Sequence, residues 1–537
     1  MLIVGAGPTG LSLAIRLRQL GVDCLVIDRA EQPSLWSRAL GIHARTLEIF
    51  HALEVLDALA RDAVVQTEVR VYNDRGPLFS LDLTSLDAPF PWVLSCPQNR
   101  VEAILEERFM SLGGILIRGA ELIDFEQGGE SVKARIRLAG GDQSLSCTLM
   151  IGCDGAHSCV REQLGLRFDG ATQEDHFLLA DVDIDWSLPA NSSHGFLLSS
   201  GSLIALPLPQ GWRLIMNLAR DNAPEESLSM APFKARLEEA IGESPQMGDP
   251  RWLTRFSIHR RLASHYRRNR VLLAGDAAHI QSPLGAQGMN TGIADSFNLA
   301  WKLALFLEGH GGGRLLDSYE AERRPVARSM LHSVDVLSRT SFAKSRVLRY
   351  GRDMVLGFLA RQPKLSALLL RRASQLDVNY RGSALVARAS ALSLSEWAGP
   401  QPGDRFPDAV MYEPMTGAAI RLLELLRDPR HYLFIQLPKD PEARQIVSAF
   451  ALADRVPSEF GRWVRTVIVT CLPMADSVRE IAEFDVSVLV DSNGEFARRC
   501  HSDSGMWLVR PDGHLGFAAD REHGDQVLQY LRRLIRR

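Results

Sequence analysis

What this chain has little of sets the first limits. Of its 537 residues only seven are cysteine, at 24, 96, 147, 153, 159, 471 and 500, with no CxxC pair and no histidine at zinc-finger spacing. An odd, scattered set excludes a disulfide framework and gives no metal site to expect. Cys153 and Cys159 are near neighbours, but five intervening residues fit no common metal motif, and packing is the plain reading. Long apolar runs are missing as well: clusters such as LALFL at 303 to 307 fall far short of the roughly 18 residues a membrane-crossing helix needs. The N-terminus lacks a charged stretch followed by an apolar one, so the expected location is the cytoplasm, with no membrane partner. Neither sign of charge is in excess. Lysine and arginine number 61 against 64 acids, a formal net charge of -3, and nothing calls for nucleic acid. What is present, 46% hydrophobic and 23% charged residues, is the composition of an ordinary globular protein. Its length suggests two to four domains at roughly 150 residues each.

The opening MLIVGAGPTGLSLAIRLRQLGVDCLVID reads as a short apolar strand, a turn, a helix with apolar positions at Leu11, Ala14, Ile15 and Leu17, and a second strand ending at Asp28. That is a βαβ unit. Gly5, Gly7 and Gly10, with Pro8 and Thr9 between them, fit the dinucleotide fingerprint. The first glycine permits the tight turn, the second lets backbone approach a pyrophosphate, and the third lets helix pack on strand. The helix start offers amides and a positive dipole end to phosphates. Asp28, followed by Arg29, is placed to accept from a ribose hydroxyl. Only four residues precede Gly5, so the first strand is clipped.

Two later stretches put further acids at strand ends, where doubly wound sheets bind ligands. LMIGCDGAHSCVREQLG, residues 149 to 165, is a strand ending in Asp154-Gly155, with a helix from about Ser158. RVLLAGDAAHIQSPLGAQGMNTG, residues 270 to 292, carries Asp276, Pro283 and a second glycine-rich turn at Gly285, Gly288 and Gly292. The following helix buries one stripe through Ile293, Phe297, Trp301 and Ala304.

GAGPTG, GCDGAHSCVRE and LLAGDAAHIQSPLGAQGMNTGIADSFNLAWKLA together resemble the three signatures of the single-component FAD-dependent aromatic hydroxylases, the family of para-hydroxybenzoate and phenol hydroxylase. RALGIHARTLE, PQNRVEAIL and LLDSYEAERRPV extend the likeness over roughly the first 390 residues. It departs at Ala286, where many members have glycine, and at Asn99 and Arg100, where a tyrosine and an acid are frequent. The resemblance implies that Asp276 bonds the ribityl chain of FAD while the first turn and Asp28 hold its adenosine half. It implies that amides near Gly288, Met289 and Asn290 face the flavin pyrimidine, and that Pro283 and the glycines keep the backbone flat against the ring. Arg38 and Arg45 resemble arginines near the FAD phosphates and the nicotinamide route, Gln98 a flavin-contacting glutamine, and Asp154 with Gly155 the acid that orders loops around the cofactors. Arg38 and Pro283 stand as flavin-proximal groups; no catalytic base is identified. His279 is expected to be structural. The arginines of RWLTRFSIHRRLASHYRRNR either attract a nicotinamide nucleotide or form an ordinary solvated face.

The expected class is α/β. Residues 1-66 with 95-165 and 266-394 form a Rossmann-like FAD-binding domain, and 67-94 with 166-265 an inserted β-sheet substrate domain. A long helical segment from about Asp317 to Gln375 leads through the Pro/Gly-rich GPQPGDRFPDA to residues 395-537, which resemble the thioredoxin-like C-terminal domain of larger members. Without CxxC that domain is expected to be structural or to make subunit contacts, and a homodimer is one expectation.

The activity implied is hydroxylation of a phenolic or polycyclic aromatic by O2 and NADH or NADPH, through a flavin C4a-hydroperoxide. A Baeyer–Villiger or epoxidising monooxygenase on a polyketide-like substrate shares every motif. A halogenase lacks its WxWxIP here. A flavin-bearing interaction module is the reading from a different class.

Overall fold

The computed structural model describes residues 1–33, 39–217, 228–281, 285–341, 345–389, 399–471 and 486–535. A six-stranded sheet runs in the order Arg267–Arg268, Val271–Leu273, Met150–Gly152, Leu2–Val4, Leu25–Asp28, Ile115–Arg118. All pairs are parallel except the first. The three central strands are apolar and buried end to end, as a sheet covered on both faces requires. The helix Pro8–Gln19 packs on the long helix Gln287–Leu307, which is buried along most of its length. An antiparallel meander of Glu121–Gln127, Val132–Leu138 and Gly141–Cys147 fills the connection into Met150–Gly152.

The second sheet has eight strands, ordered His279–Ile280, Trp252–Ala263, Phe168–Val182, Trp212–Asn217, Gly201–Pro207, Ser192–Leu198, Glu68–Asn73 and Gly76–Asp82. Strand alternation divides its residues between two faces. Phe196, Leu203, Trp212 and Leu214 meet Phe233 and Leu237 of the helix Ala231–Ile241. On the opposite face Phe177, Leu179 and Ile215 pack with Trp252 and Phe256. This sheet is joined directly to the second glycine-rich segment, because His279–Ile280 pairs with Arg261 and Leu262.

Beyond residue 399 the chain builds a third sheet. Its centre is a parallel pair, His431–Gln436 and Val464–Thr470, connected by the helix Ala443–Phe460. On one side follow the antiparallel strands Gly505–Val509 and Leu515–Ala519 and then Ala387–Arg388 from just upstream; on the other lie Ser487–Val490, Val410–Tyr412 and Ala419–Arg421. The helix Gly524–Ile535 packs on the strand Leu515–Ala519.

Buried charge fixes this C-terminal unit to the unit built on the six-stranded sheet. Arg16, on the first helix, donates to the carbonyls of Leu426, Arg427 and Pro511 at 2.9 to 3.3 Å, and burial pulls its guanidinium down to about 9. Glu48 accepts from Arg45 and Arg405; burial alone would raise its carboxyl, but the two guanidinium groups hold it below the ordinary value. The largest cluster joins Lys302, Glu322, Arg510 and Asp512, each no more than 3% exposed. Lys302 Nζ and both terminal nitrogens of Arg510 donate to Glu322 at 2.7 Å. Asn298 Nδ2 donates to Glu322 at 2.7 Å and to Asp512 at 3.0 Å. Two cations face two anions, so the cluster is neutral and closely hydrogen-bonded, the condition under which buried charge is tolerated.

Candidate functional site

The two glycine-rich turns meet through one side chain. Thr9 Oγ1 lies where a Cβ on Gly275 would approach within 2.5 Å and one on Gly292 within 2.4 Å. Any side chain at either position would push the turns apart. Inside the first turn, a Cβ on Gly5 would strike the Cys153 carbonyl oxygen at 2.3 Å, and one on Gly10 the Gly5 oxygen at 2.0 Å. Gly7 differs. A Cβ there would meet nothing within 4 Å, so the amide edge at the head of the helix Pro8–Gln19 is bare to an approaching ligand. That combination, two glycines required by protein packing and one facing open space, is what a pyrophosphate cradle needs.

Asp28 ends the second strand, Leu25–Asp28, beside this turn. Its Oδ2 accepts from the Ala6 amide at 2.7 Å and Oδ1 from Ala30 at 2.8 Å, while Arg29 is exposed. Asp276 sits just past the strand Val271–Leu273 in a short 3-10 turn. Its side chain is exposed, whereas Gly275, Ala277 and Ala278 around it are buried. An acid held outward from an otherwise buried strand end fits a group that bonds a polyol chain.

Behind it, His279 Nε2 donates to Asp295 Oδ2 at 2.7 Å, and Asp295 also accepts from the Gly275 amide at 3.2 Å and from Arg323 Nε at 2.6 Å. Burial would raise the Asp295 carboxyl; Arg323 and His279 overcome it and hold the group below its ordinary value. His279 is therefore a structural pin on the Asp276 turn, 2% exposed.

The start of the helix Gln287–Leu307 is set by Asn290. Its Oδ1 accepts from the His43 amide at 3.0 Å, and its Nδ2 donates to the carbonyls of Gly41 at 2.9 Å and Ala286 at 2.6 Å. His43 Nε2 reaches the Gly285 carbonyl at 2.8 Å; a carbonyl only accepts, so that nitrogen carries the proton. Ala286 adopts φ 53°, ψ 37° as the residue before the helix. The left-handed region costs an alanine roughly 1 kcal/mol relative to glycine. Ala286→Gly is expected to raise stability by about 0.5 to 1 kcal/mol, read from the denaturant midpoint at unchanged slope; a loss of stability would mean the methyl, 3.0 Å from where a Cβ on Gly41 would sit, contributes packing.

The remaining expected residues are less uniform. Gln98 accepts from the Ala39 amide at 3.1 Å and donates to Glu102 at 2.8 Å, anchoring the chain just after Arg38. Asp154 accepts from Ser158 Oγ at 2.6 Å and from the Val160 amide at 3.1 Å; Ser158 in turn caps the helix Cys159–Gln163, so Asp154 orders its own loop. Gly155 has φ 80°, with open space at its Cβ position. Arg45, expected near the cofactor, donates through its terminal nitrogens at 2.6 Å to Glu48 and to the Asp512 carbonyl of the C-terminal unit. Arg38 and Pro283 lie outside the described residues.

Thr9, one of the residues expected at the first turn, acts as a spacer between the two segments. His43 and Arg161 lie inside the motifs RALGIHARTLE and GCDGAHSCVRE without a role expected of either, and Arg161 links two loops by donating to the Ala277 carbonyl at 3.1 Å. Asp295 carries a signal of another kind, being a single acid in a long, largely apolar helix.

A model of the family described as FAD binding domain matches residues 1–334. The chain is similar to 6-methylpretetramide 4-monooxygenase of Streptomyces rimosus, 32% identical over 97% of this chain and 91% of that protein. It is also similar to pentachlorophenol 4-monooxygenase of Sphingobium chlorophenolicum, 30% identical over 99% of this chain and 96% of that one. Among solved structures, the OxyS anhydrotetracycline hydroxylase from Streptomyces rimosus superposes with a TM-score of 0.77 at 29% identity, covering 99% of this chain and 98% of that chain.

Proposed function

The chain belongs to the FAD-binding family of flavin-dependent aromatic monooxygenases, and from that premise we propose which of its residues hold the cofactor and what kind of ring it hydroxylates. When bound, FAD supplies two-electron chemistry with NAD(P)H and O2 as co-substrates, so that one oxygen atom enters the substrate and the other leaves as water. The observation that carries the assignment of residues is the junction at Thr9, which brings the bare amide edge at Gly7 and the outward carboxylate of Asp276 into one site.

Gly5 to Gly10 take the pyrophosphate and Asp28, with Arg29 beside it, the adenosine ribose. Asp276 takes the ribityl hydroxyls. The amides at Gly288 and Met289, fixed by the Asn290 bonds, present the positive end of the helix Gln287–Leu307 to the ring edge where negative charge develops on reduction. Gly285, Gln98 and Asp154 with Gly155 hold the surrounding loops, and Arg38 and Pro283 are assigned to the flavin's neighbourhood.

The face of the eight-stranded sheet opposite the helix Ala231–Ile241 is assigned to the substrate. Phe177, Leu179 and Ile215, with Trp252 and Phe256 at the edge, make it apolar and aromatic. Such a lining excludes water from the reacting centre and selects a flat apolar ligand by area. We assign a polycyclic aromatic substrate for that reason, rather than a small phenol. The domain limits follow: 1-66, 95-165 and 266-394 for the cofactor, 67-94 with 166-265 for the substrate.

The C-terminal unit, 395-537, is read as thioredoxin-like. Support comes from the parallel pair joined by Ala443–Phe460, the antiparallel strands beyond it and the terminal helix. Disulfide exchange is not its work, because burial raises the thiols of both Cys471 and Cys500.

The test is consumption of NADH or NADPH by the purified enzyme with a panel running from phenols and naphthols to tetracyclic aromatics. At least one polycyclic member is expected to accelerate consumption about tenfold, equivalent to about 1.4 kcal/mol of barrier, and to gain one oxygen atom by mass. If no aromatic changes the rate and none is oxygenated, the hydroxylase reading fails. A ring acting only among the small phenols overturns the substrate class alone.

A further inference from the structure

The helix Arg346–Arg361 is polar on its inner side and apolar on its outer one. Its buried side carries the polar groups: Arg349 donates to the Ser199 carbonyl at 3.0 Å, Arg352 is 9% exposed, and Asp353 accepts from Asn73 at 2.9 Å. Its outer side carries Val347, Leu348, Met354 and Phe358, each at least 60% exposed. The next helix, Pro363–Ala373, adds Leu368 and Leu369 at 57% and 43%. These two helices hold nine of the sixteen exposed large apolar side chains among the described residues. Together the nine offer on the order of 1,000 Å2, above the few hundred Å2 of ordinary surface patches and the roughly 800 Å2 per partner of a stable protein interface.

Charge decides what covers this face. The two helices carry seven arginines and lysines and a single acid, Asp353, which is already engaged on the inner side. Arg361, Lys364 and Arg371 are exposed around the apolar stripe. A symmetric contact with a second copy repeats the same patch on both sides and would set this cationic rim against itself. An anionic lipid surface satisfies both halves at once, taking the apolar stripe into the headgroup boundary and the rim onto lipid phosphates.

We propose that the helices Arg346–Arg361 and Pro363–Ala373 dock the protein onto an anionic bilayer surface. They lie on the membrane and do not cross it: among the described residues no helix is long and apolar enough to span one. The hairpin also borders the catalytic unit. Gly357 packs toward Leu78 on the eight-stranded sheet's edge strand, and the Ala373 carbonyl accepts from Gln287, in the first turn of the helix assigned to the flavin, at 2.7 Å. Docking therefore brings the site's flank to the phase into which large apolar aromatics partition. The proposal does not depend on the substrate assignment.

The flavin-loaded wild type is sedimented with vesicles of phosphatidylcholine alone and of phosphatidylcholine with equimolar phosphatidylglycerol. At least about tenfold stronger partition into the anionic vesicles is expected, falling about tenfold in M354E/F358E. R361Q/K364Q/R371Q, which leaves the apolar stripe intact, is expected to lose the preference for phosphatidylglycerol, and it decides the matter if the glutamate variant fails to keep its flavin. Absent binding, or equal binding to both vesicles, overturns the proposal. So does a lipid-free wild type of twice the chain mass by sedimentation with M354E/F358E at the single mass, which gives the face to a second copy.

Discussion

Asp276→Ala is expected to purify folded and nearly colourless. The residue ends a buried strand but is itself exposed, so its side chain contributes little to the core. The turn beneath it is held by other groups: the Gly275 amide on Asp295, His279 on the same carboxylate, and Arg161 on the Ala277 carbonyl. Removing the carboxylate should therefore change apoprotein stability by no more than about 0.5 kcal/mol, as at other surface positions. Flavin retention is another matter. A charge-assisted hydrogen bond contributes about 1.5 to 3 kcal/mol, so FAD affinity should fall roughly ten- to a hundredfold. Asp276→Asn, which keeps an acceptor without the charge, should lie between. The ratio of flavin to protein absorbance after gel filtration reads the result, and the denaturant midpoint of the apoprotein checks the fold. Full flavin content in Asp276→Ala would remove Asp276 from the site. A collapsed apoprotein would make it a structural residue instead.

Why this site was largely legible in the sequence, and the rest was not, follows from range. The βαβ opening declares itself because its strand, turn, helix and Asp28 are all local. The glycines were legible in kind, yet their reasons were not all local: Gly5 is required by the Cys153 carbonyl, and Gly275 and Gly292 by Thr9. Those are contacts between segments about 150 and 270 residues apart, which no spacing encodes. Arg45 shows the same limit from the other side. The family resemblance sets it near the cofactor, while its bond to the Asp512 carbonyl of the C-terminal unit, 467 residues away, is one that no local pattern announces. The outward apolar stripe of Arg346–Arg361 was invisible for a different reason. A helical pattern says which residues share a face; it does not say which face the protein covers.

The strongest thermodynamic test lies at the junction with the C-terminal unit. Glu322→Gln is expected to cost about 3 to 5 kcal/mol, because it strands Lys302 and Arg510 in a buried site with only Asp512 to balance them. Removing Lys302 as well should undo much of that loss, since K302M/E322Q leaves Arg510 and Asp512 as one neutral pair. The double variant is thus expected to be more stable than the single one, a coupling of the sign that distinguishes charge balance from mere loss of contacts. Acid dependence gives an independent reading. Burial favours the neutral form of Glu322, but Arg510 and Lys302 overcome it and hold the carboxyl well below its ordinary value; Asp512 is held low by Arg510 and His514 against the same burial. Both native values lie under the unfolded ones, so the unfolded chain binds more protons in acid. The stabilisation is complete above the ordinary carboxylate range, near pH 4, and disappears as pH falls toward the native values. Wild type should therefore unfold steeply in acid, with protection of the amides of the strand Gly505–Val509 lost early in hydrogen exchange, and Glu322→Gln should show a shallower acid limb from a lower plateau. A cost under about 1 kcal/mol for Glu322→Gln, or a double variant weaker than the single, would mean that apolar packing of Trp301 and its neighbours, not the charge cluster, holds the two units together.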